Sequence, residues 1–219
     1  AGFIIVQDSA EGALPLPRTY GVDDFPVVVQ DRRFLPNGNF VFGPYGDSVL
    51  VNGTPRPYLE CPAQVVRLRL LNGANARIYP LGFEDGRSFS VIASDGGLLN
   101  APVNMDRIWL SNGERAEVLL DLTGLAGDSL LLMSFGSELP QTVPGANNIL
   151  WEGSILNGID FPVLRIRVTP PTAAPVTSIP ATLVPVLPYD EASATRTRTK
   201  VLAGNGMVGM GMFTINGLM

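Results

Sequence analysis

The side chains able to do chemistry are few, and one absence governs how they can be used. None of the 219 residues is histidine, which removes the commonest general base and the commonest transition-metal ligand together. Cys61 is the single cysteine. It stands between Glu60 and Pro62 with no histidine to hold a thiolate, and it reads as a small buried or half-buried side chain. Met207, Met210 and Met212 bring thioethers close together, and soft sulfur donors of this kind select Cu(I). The alternative for them is gap-filling in a core or at a domain contact. Gly204-Asn205-Gly206-Met207-Val208-Gly209 matches the spacing G-x-G-x-x-G, but a dinucleotide site needs a helix next and an acidic residue about 20 positions on. Met210-Gly211-Met212-Phe213 follows instead, and a flexible glycine-rich connection is the better account.

The carboxylates worth weighing are Asp23-Asp24, Glu84-Asp85 and Asp95. Adjacent residues on a strand point to opposite faces, so neither pair forms an acid/base couple by spacing alone. A glycosidase needs two carboxylates on one cleft, and Asp95 with Glu84 is the pair to test. Asp95-Gly96-Gly97 reads more simply as a turn. Glu114, Arg115 and Glu117 suit a structural arginine–carboxylate pair. Neither a G-x-S-x-G elbow nor a P-loop occurs. Asn52-Gly53-Thr54 fits a glycosylation sequon, yet Asn-Gly occurs seven times along the chain, so a turn explains it. No residue is assigned as catalytic, cofactor-binding or metal-binding.

The elements that would have to position such groups are strands. In Val65 to Gly73, Val66, Leu68 and Leu70 alternate with Arg67 and Arg69, the period-two pattern of a half-buried strand, before Asn72-Gly73 turns the chain. Similar runs cover Ala76 to Phe83, Phe89 to Ala93, Arg107 to Leu110, and Glu114 to Leu122. Upstream, Phe3 to Gln7 reads as a short buried strand, Asp8 to Arg18 as a linker, and Pro26 to Phe34 as a strong strand. Asn39 to Phe42 pairs back on it as a short hairpin arm. Ser48 to Val51 is another strand, ended by Asn52-Gly53, with an irregular connection through Pro55, Pro57 and Pro62. Downstream come strands at Ser129 to Phe135 and Pro162 to Val168. A stiff proline-rich linker from Thr169 to Pro188 follows. One helical turn is expected between Asp190 and Thr195, and strands at Thr199 to Ala203 and Phe213 to Gly217, the last with nothing after it to pair with.

Composition agrees with many short strands joined by turns. Hydrophobic residues make up 46% and charged residues 16%, with 24 Gly and 19 Pro, which argues against disorder. A net charge of −5 supplies no attraction to nucleic acid or to an anionic membrane, and neither is expected as a partner. A lone cysteine forms no intrachain disulfide. No apolar run reaches the ~18 residues of a membrane-spanning helix. Ala1 to Val6 carries no basic n-region and reads as strand rather than signal peptide, so the chain is expected to begin inside a larger protein. No repeat of a fixed period is present. The expected fold is all-β, a Greek-key sandwich or barrel.

Several runs resemble the multicopper oxidases, specifically the bacterial laccase, bilirubin-oxidase and cuprous-oxidase branch. Gly2 to Val6 is similar to the last strand of that family's first domain, and Asp24 to Arg32 (DFPVVVQDR) to the opening strand of the second. Val66 to Tyr79 (VRLRLLNGANARIY), Ile92 to Leu99 (IASDGGLL) and Gly113 to Asp121 (GERAEVLLD) resemble the most recognisable runs of the second domain. Phe213 to Gly217 resembles the opening of the third.

The resemblance implies a cupredoxin-like fold with residues 1–19 ending a first domain and 20–169 forming a second domain without copper ligands. Residues 170–198 would be a proline-rich linker and 199–219 the first strands of a third domain. It implies copper in the parent enzyme but none in this chain, because the family's ligands lie in histidine-rich motifs of the first and third domains. Neighbouring cupredoxin domains 1 and 3 are the implied partners, and a periplasmic or extracellular location is implied. The parent would couple one-electron oxidation of a phenol, a pigment or a metal ion to reduction of O₂ to water, and this segment alone would be architectural. A free-standing β-sandwich binding or interaction module is the alternative. The ends at Phe3 to Val6 and Phe213 to Ile215 are expected to expose apolar edges inclined to pair with another chain.

Overall fold

The computed structural model describes residues 2–147, 153–204 and 213–218. The methionine tract 207–212, and all but the first residue of the 204–209 glycine pattern, lie outside the described residues. Strands dominate: β1 (Asp24–Phe34), β2 (Phe40–Val41), β3 (Ser48–Val51), β4 (Thr54–Pro55), β5 (Tyr58–Pro62), β6 (Val65–Asn72), β7 (Tyr79–Phe83) and β8 (Phe89–Ser94). They continue as β9 (Gly97–Met105), β10 (Ile108–Leu110), β11 (Arg115–Asp121), β12 (Ser129–Phe135), β13 (Asp160–Thr169), β14 (Leu202–Gly204) and β15 (Phe213–Ile215).

Two sheets face each other. An eight-stranded sheet runs β4-β3-β1-β6-β11-β8-β9, with β2 paired to β1, and a five-stranded sheet runs β10-β7-β12-β13-β5. Among the strand ladders of the described residues, β1 with β6 and β13 with β5 are parallel and the others antiparallel. Alternation along each strand sends one set of side chains inward. Phe25, Val27, Leu68, Leu70, Val118 and Leu120 from the first sheet meet Tyr79, Leu81, Phe83, Leu130, Leu132 and Ile166 from the second in one buried core. Full burial of such a side chain contributes roughly 1.5–3 kcal/mol, and no disulfide supplements it, since Cys61 is a free thiol. The Asn52-Gly53 reversal between β3 and β4 has φ of 50° and 80°, the left-handed pair that a tight hairpin requires.

β6 departs from its half-buried expectation. All eight of its residues are buried, because chain from both ends of the sequence lies over the outer face of its sheet. Leu16 from before β1 and Leu183 from after β13 pack there against Val65, Ile92 and Leu119.

The expected linker at Asp8 to Arg18 contains a short helix, α1 (Ser9–Gly12), started by Asp8, whose Oδ1 accepts the Glu11 N–H at 2.8 Å. The stretch from Thr169 to Pro188 is not a free spacer either. Its Val176 carbonyl accepts from the Val65 N–H at 2.7 Å, and its Leu183 N–H donates to Asn100 on β9 at 2.8 Å.

Phe3 to Gln7 is not a strand: no ladder forms along it, and Ile4 and Val6 are 93% and 79% exposed. β4 and β5 run through the connection expected to be irregular, and β9 follows the expected Asp95-Gly96-Gly97 turn where no strand was expected. Prolines at 55, 57 and 62 and the Gly96-Gly97 pair hid a signal that pairing with a neighbour overrides. A single helical turn occurs at Glu191–Ser193. The last strand does find a partner, since β15 pairs antiparallel with β14.

Candidate functional site

Two networks of charged side chains stand out, and both are ion-paired instead of aimed into a cleft. In the first, Arg67 and Arg69 leave β6 on the outer face of the larger sheet, where the alternation placed them. Arg67 Nε donates to Glu117 Oε2 at 2.8 Å and its Nη1 to Glu11 Oε1 at 2.6 Å, while Nη2 also donates to Glu117. Arg69 holds Asp24 in a fork, Nε to Oδ1 at 2.8 Å and Nη2 to Oδ2 at 2.7 Å, and reaches Glu117 Oε1 at 2.6 Å. The Arg67 and Arg69 side chains are 1% and 5% exposed. Burial works against the Arg69 charge, but the hydrogen bond to Asp24 and the charges of Glu117, Asp24 and Glu11 outweigh it and hold the guanidinium above its usual pKa.

The second network lies within the sandwich. Arg77 Nε donates to Asp31 Oδ2 at 3.0 Å and Arg77 Nη2 to Ser154 Oγ at 3.1 Å. The Gly46 N–H donates to the same Asp31 oxygen at 2.7 Å. Burial, reinforced by the Asp31 charge, pushes the Tyr79 phenol well above its ordinary pKa. The guanidinium also lies over the Tyr45 ring at 5.3 Å. This network ties β1, the turn before β3, β7 and the segment around Ser154 into one piece.

The residues singled out in the sequence are dispersed. Cys61 is 0% exposed in the core, and burial pushes its thiol up to about 12, the reverse of an activated nucleophile. Asp23 accepts the Arg18 and Thr19 N–H groups at 3.1 and 2.7 Å, and Asp24 belongs to Arg69. Asp85 is held below its usual range, first by its hydrogen bond to Arg87. Asp95 pairs with Arg115 at 2.9 Å, whereas Glu117 turns to the β6 arginines. Glu114 accepts the Ser111 N–H at 2.6 Å. Glu84 lies in the turn before β8 and Asp95 just past its end, so six residues of strand separate them, about 20 Å at strand rise. The Asn52 side chain spans to β1, accepting from Val28 N at 2.9 Å and donating to the Pro26 carbonyl at 2.9 Å.

The sequence reading missed Asp31, Arg77 and Glu11. Arg77 falls in the run expected as strand from Ala76, which the structure begins only at Tyr79, and Glu11 in a presumed linker, so neither was marked as a partner for a buried charge.

A cleft of about 460 Å³ opens where β3 and β4 approach β13, lined by Val49, Phe161, Leu164, Arg56, Arg165 and a single carboxylate, Asp47. Asp47 is engaged by Arg33 at 2.9 Å. The two carboxylates that sugar hydrolysis requires on one cleft are not both there. Among the described residues no group of three or more His, Cys, Asp or Glu converges to hold a metal ion. Among the described residues the donors do not suit copper: there is no imidazole, and the one thiol is sealed in the core, where burial pushes its pKa up to about 12, while the Met207, Met210 and Met212 thioethers lie outside the described residues.

Comparison with known proteins agrees with the two-sheet architecture. The family model described as "Multicopper oxidase" matches residues 26–142. Among curated proteins, Cell division protein FtsP of Rahnella sp. is 48% identical over 129 residues, covering 56% of this chain and 27% of that protein. Cell division protein FtsP of Escherichia coli is 38% identical over 191 residues, covering 84% of this chain and 39% of that protein. The chain thus spans well under half the length of these relatives. Among solved structures, the McoA multicopper oxidase of Aquifex aeolicus superimposes with a TM-score of 0.75 at 34% identity, over 93% of this chain and 42% of that one. The laccase-like multicopper oxidase CueO from Ochrobactrum sp. gives a TM-score of 0.69 at 33% identity, over 85% and 39%. The sandwich is accordingly cupredoxin-like.

Proposed function

The chain belongs to the multicopper oxidase family, and from that membership we propose that it is a copper-free, architectural middle domain that spaces and orients its neighbours. The observation that carries this reading is the docking of both flanking segments on one face of the larger sheet. Glu11 is held by Arg67 at 2.6 Å, and Leu16 and Leu183 share one hydrophobic cluster. A domain that grips the chain before its first strand and after its last one sets the direction in which both continue. On this reading residues 20–169 are the domain, and cupredoxin domains 1 and 3 of the same protein are its partners, in a periplasmic or extracellular setting. The whole protein would couple one-electron oxidation of phenolic, pigment or metal-ion substrates to reduction of O₂, with copper held outside this chain.

The test is direct. Purified alone, the chain should be colourless and copper-free by elemental analysis after loading and desalting. A stable blue absorption or firmly bound stoichiometric copper overturns the proposal.

A second reading is favoured by the relatives named FtsP, which reach 48% identity where the oxidase structures above stand at 33% and 34%. In it, the whole protein serves cell division and the domain is a binding scaffold. Copper content and O₂ consumption of the full-length protein separate the two. Stoichiometric copper with turnover favours the oxidase, while a copper-free protein whose deletion lengthens cells favours division.

A further inference from the structure

Leu16, Val65, Ile92, Leu119 and Leu183 form a hydrophobic cluster separate from the main core, with Leu14, Leu98, Leu99, Val176 and Ile179 packed against it. Its members come from three places: the segment before β1, the outer face of the larger sheet, and the proline-rich strap after β13. Leu16 and Leu183 are 3% and 8% exposed, although neither belongs to a strand of either sheet. We infer that the segment from Ser9 to Thr19 and the strap from Thr172 to Val186 dock as one cooperative unit, so that the strap's hold on the β9 edge depends on the Glu11 latch. The inference goes beyond the reading above and stands on the packing and hydrogen bonding of the fold, whichever function the protein serves.

Two physical links join the segments. The first is the shared cluster, in which both leucines pack with Val65, Ile92 and Leu119, so truncating either opens a cavity in packing that the other also uses. The second is a polar relay through buried groups. Thr172 Oγ1 donates to Gln64 Oε1 at 2.7 Å, Gln64 Nε2 donates to Asp23 Oδ2 at 3.3 Å, and Asp23 Oδ1 accepts the Thr19 N–H at 2.7 Å. Gln64 is fully buried and Asp23 nearly so, and groups left unpaired at that depth are costly. Undocking the strap therefore takes a partner from Gln64, and undocking the earlier segment takes one from Asp23, at the two ends of one relay.

The strap also covers part of a sheet edge. β9 ends the eight-stranded sheet, and the Leu183 and Val184 N–H groups donate to the Asn100 and Leu99 carbonyls at 2.8 and 3.3 Å. Released, that edge becomes a template for another chain. The unit thus works as a closed strap whose opening is governed from the far end of the sequence.

Amide hydrogen exchange on this chain tests the coupling. Leu16→Ala should raise exchange at Leu183 and Val184 by about tenfold or more, and Leu183→Ala should do the same at Arg18 and Thr19, because coupling is reciprocal. The β13 amides from Val163 to Val168 serve as the control and should stay protected. Glu11→Gln, which leaves the cluster leucines in place, gives a milder version of the first readout should Leu16→Ala unfold the protein. Loosening confined to the substituted segment overturns the inference. Loss of β13 protection in step with the strap in both leucine variants and in Glu11→Gln also overturns it, since the unit would then be the whole sandwich.

Discussion

Arg77 and Asp31 form an ion pair of 3.0 Å with side chains only 2% and 1% exposed, and it joins β1 to the turn that precedes β7. Taking two charges out of water is costly, and the pair is tolerable because further hydrogen bonds surround both groups. Asp31 also receives the Gly46 N–H, and Arg77 also donates to Ser154 and to the Leu156 carbonyl at 3.2 Å.

Removing one partner is expected to be far worse than removing both. Arg77→Met or Asp31→Asn should lower stability by roughly 3–5 kcal/mol, the cost of an uncompensated buried charge or of broken hydrogen bonds around it, with the double variant closer to wild type than the sum. Urea unfolding of both single variants and the double variant measures this. Additive effects would contradict the pairing.

Gly46 admits no side chain. A Cβ there would lie 2.2 Å from the Arg32 backbone nitrogen, and backbone cannot retreat as a side-chain tip can. Gly46→Ala should destabilise by at least ~1–3 kcal/mol, read as a lowered midpoint of thermal unfolding. Gly96→Ala meets nothing within 4 Å and should be near neutral.

Stability should fall in alkali. Burial raises the Cys61 thiol from 9.0 to about 12 and the Tyr79 phenol upward from 10.0. A raised folded pKa means that the native state keeps protons that the unfolded chain releases. The associated stability is therefore complete below about pH 9 and is lost as pH rises toward 12. Denaturant midpoints between pH 7 and 11 should decline, less steeply in Cys61→Ala. Native Cys61 should resist thiol reagents at pH 8 and react fully in denaturant. Rapid native labelling would refute its burial.

Surface pairs should matter little. The Arg115 and Asp95 side chains, paired at 2.9 Å, are 50% and 46% exposed, so Asp95→Ala should cost less than ~1 kcal/mol. Arg67→Met, which strips buried Glu11 and Glu117 contacts, should cost several times more by the same chemical unfolding assay.

Much of the sandwich was legible along the chain. The alternations at Val65 to Asn72 and Pro162 to Val168, and the Asn52-Gly53 reversal, are local signals: side-chain period and turn chemistry act over two to eight residues, and they survive folding unchanged. β5 and β9 were illegible because proline and glycine blur that period, and pairing with a neighbouring strand overrode it. The family likeness was legible as well, carried by ordered runs such as VRLRLLNGANARIY.

The sequence by itself determined an all-β chain without histidine and therefore without an imidazole ligand or base. Only the tertiary structure decided that Arg67 and Arg69, polar by alternation and so expected to face water, are buried. Their partners Glu11, Asp24 and Glu117 come from separate parts of the chain, up to 56 residues away, and Leu183 closes the same face from farther still. Alternation reports that a strand has two unlike faces. What covers the polar one depends on long-range packing and charge pairing, which no local pattern encodes.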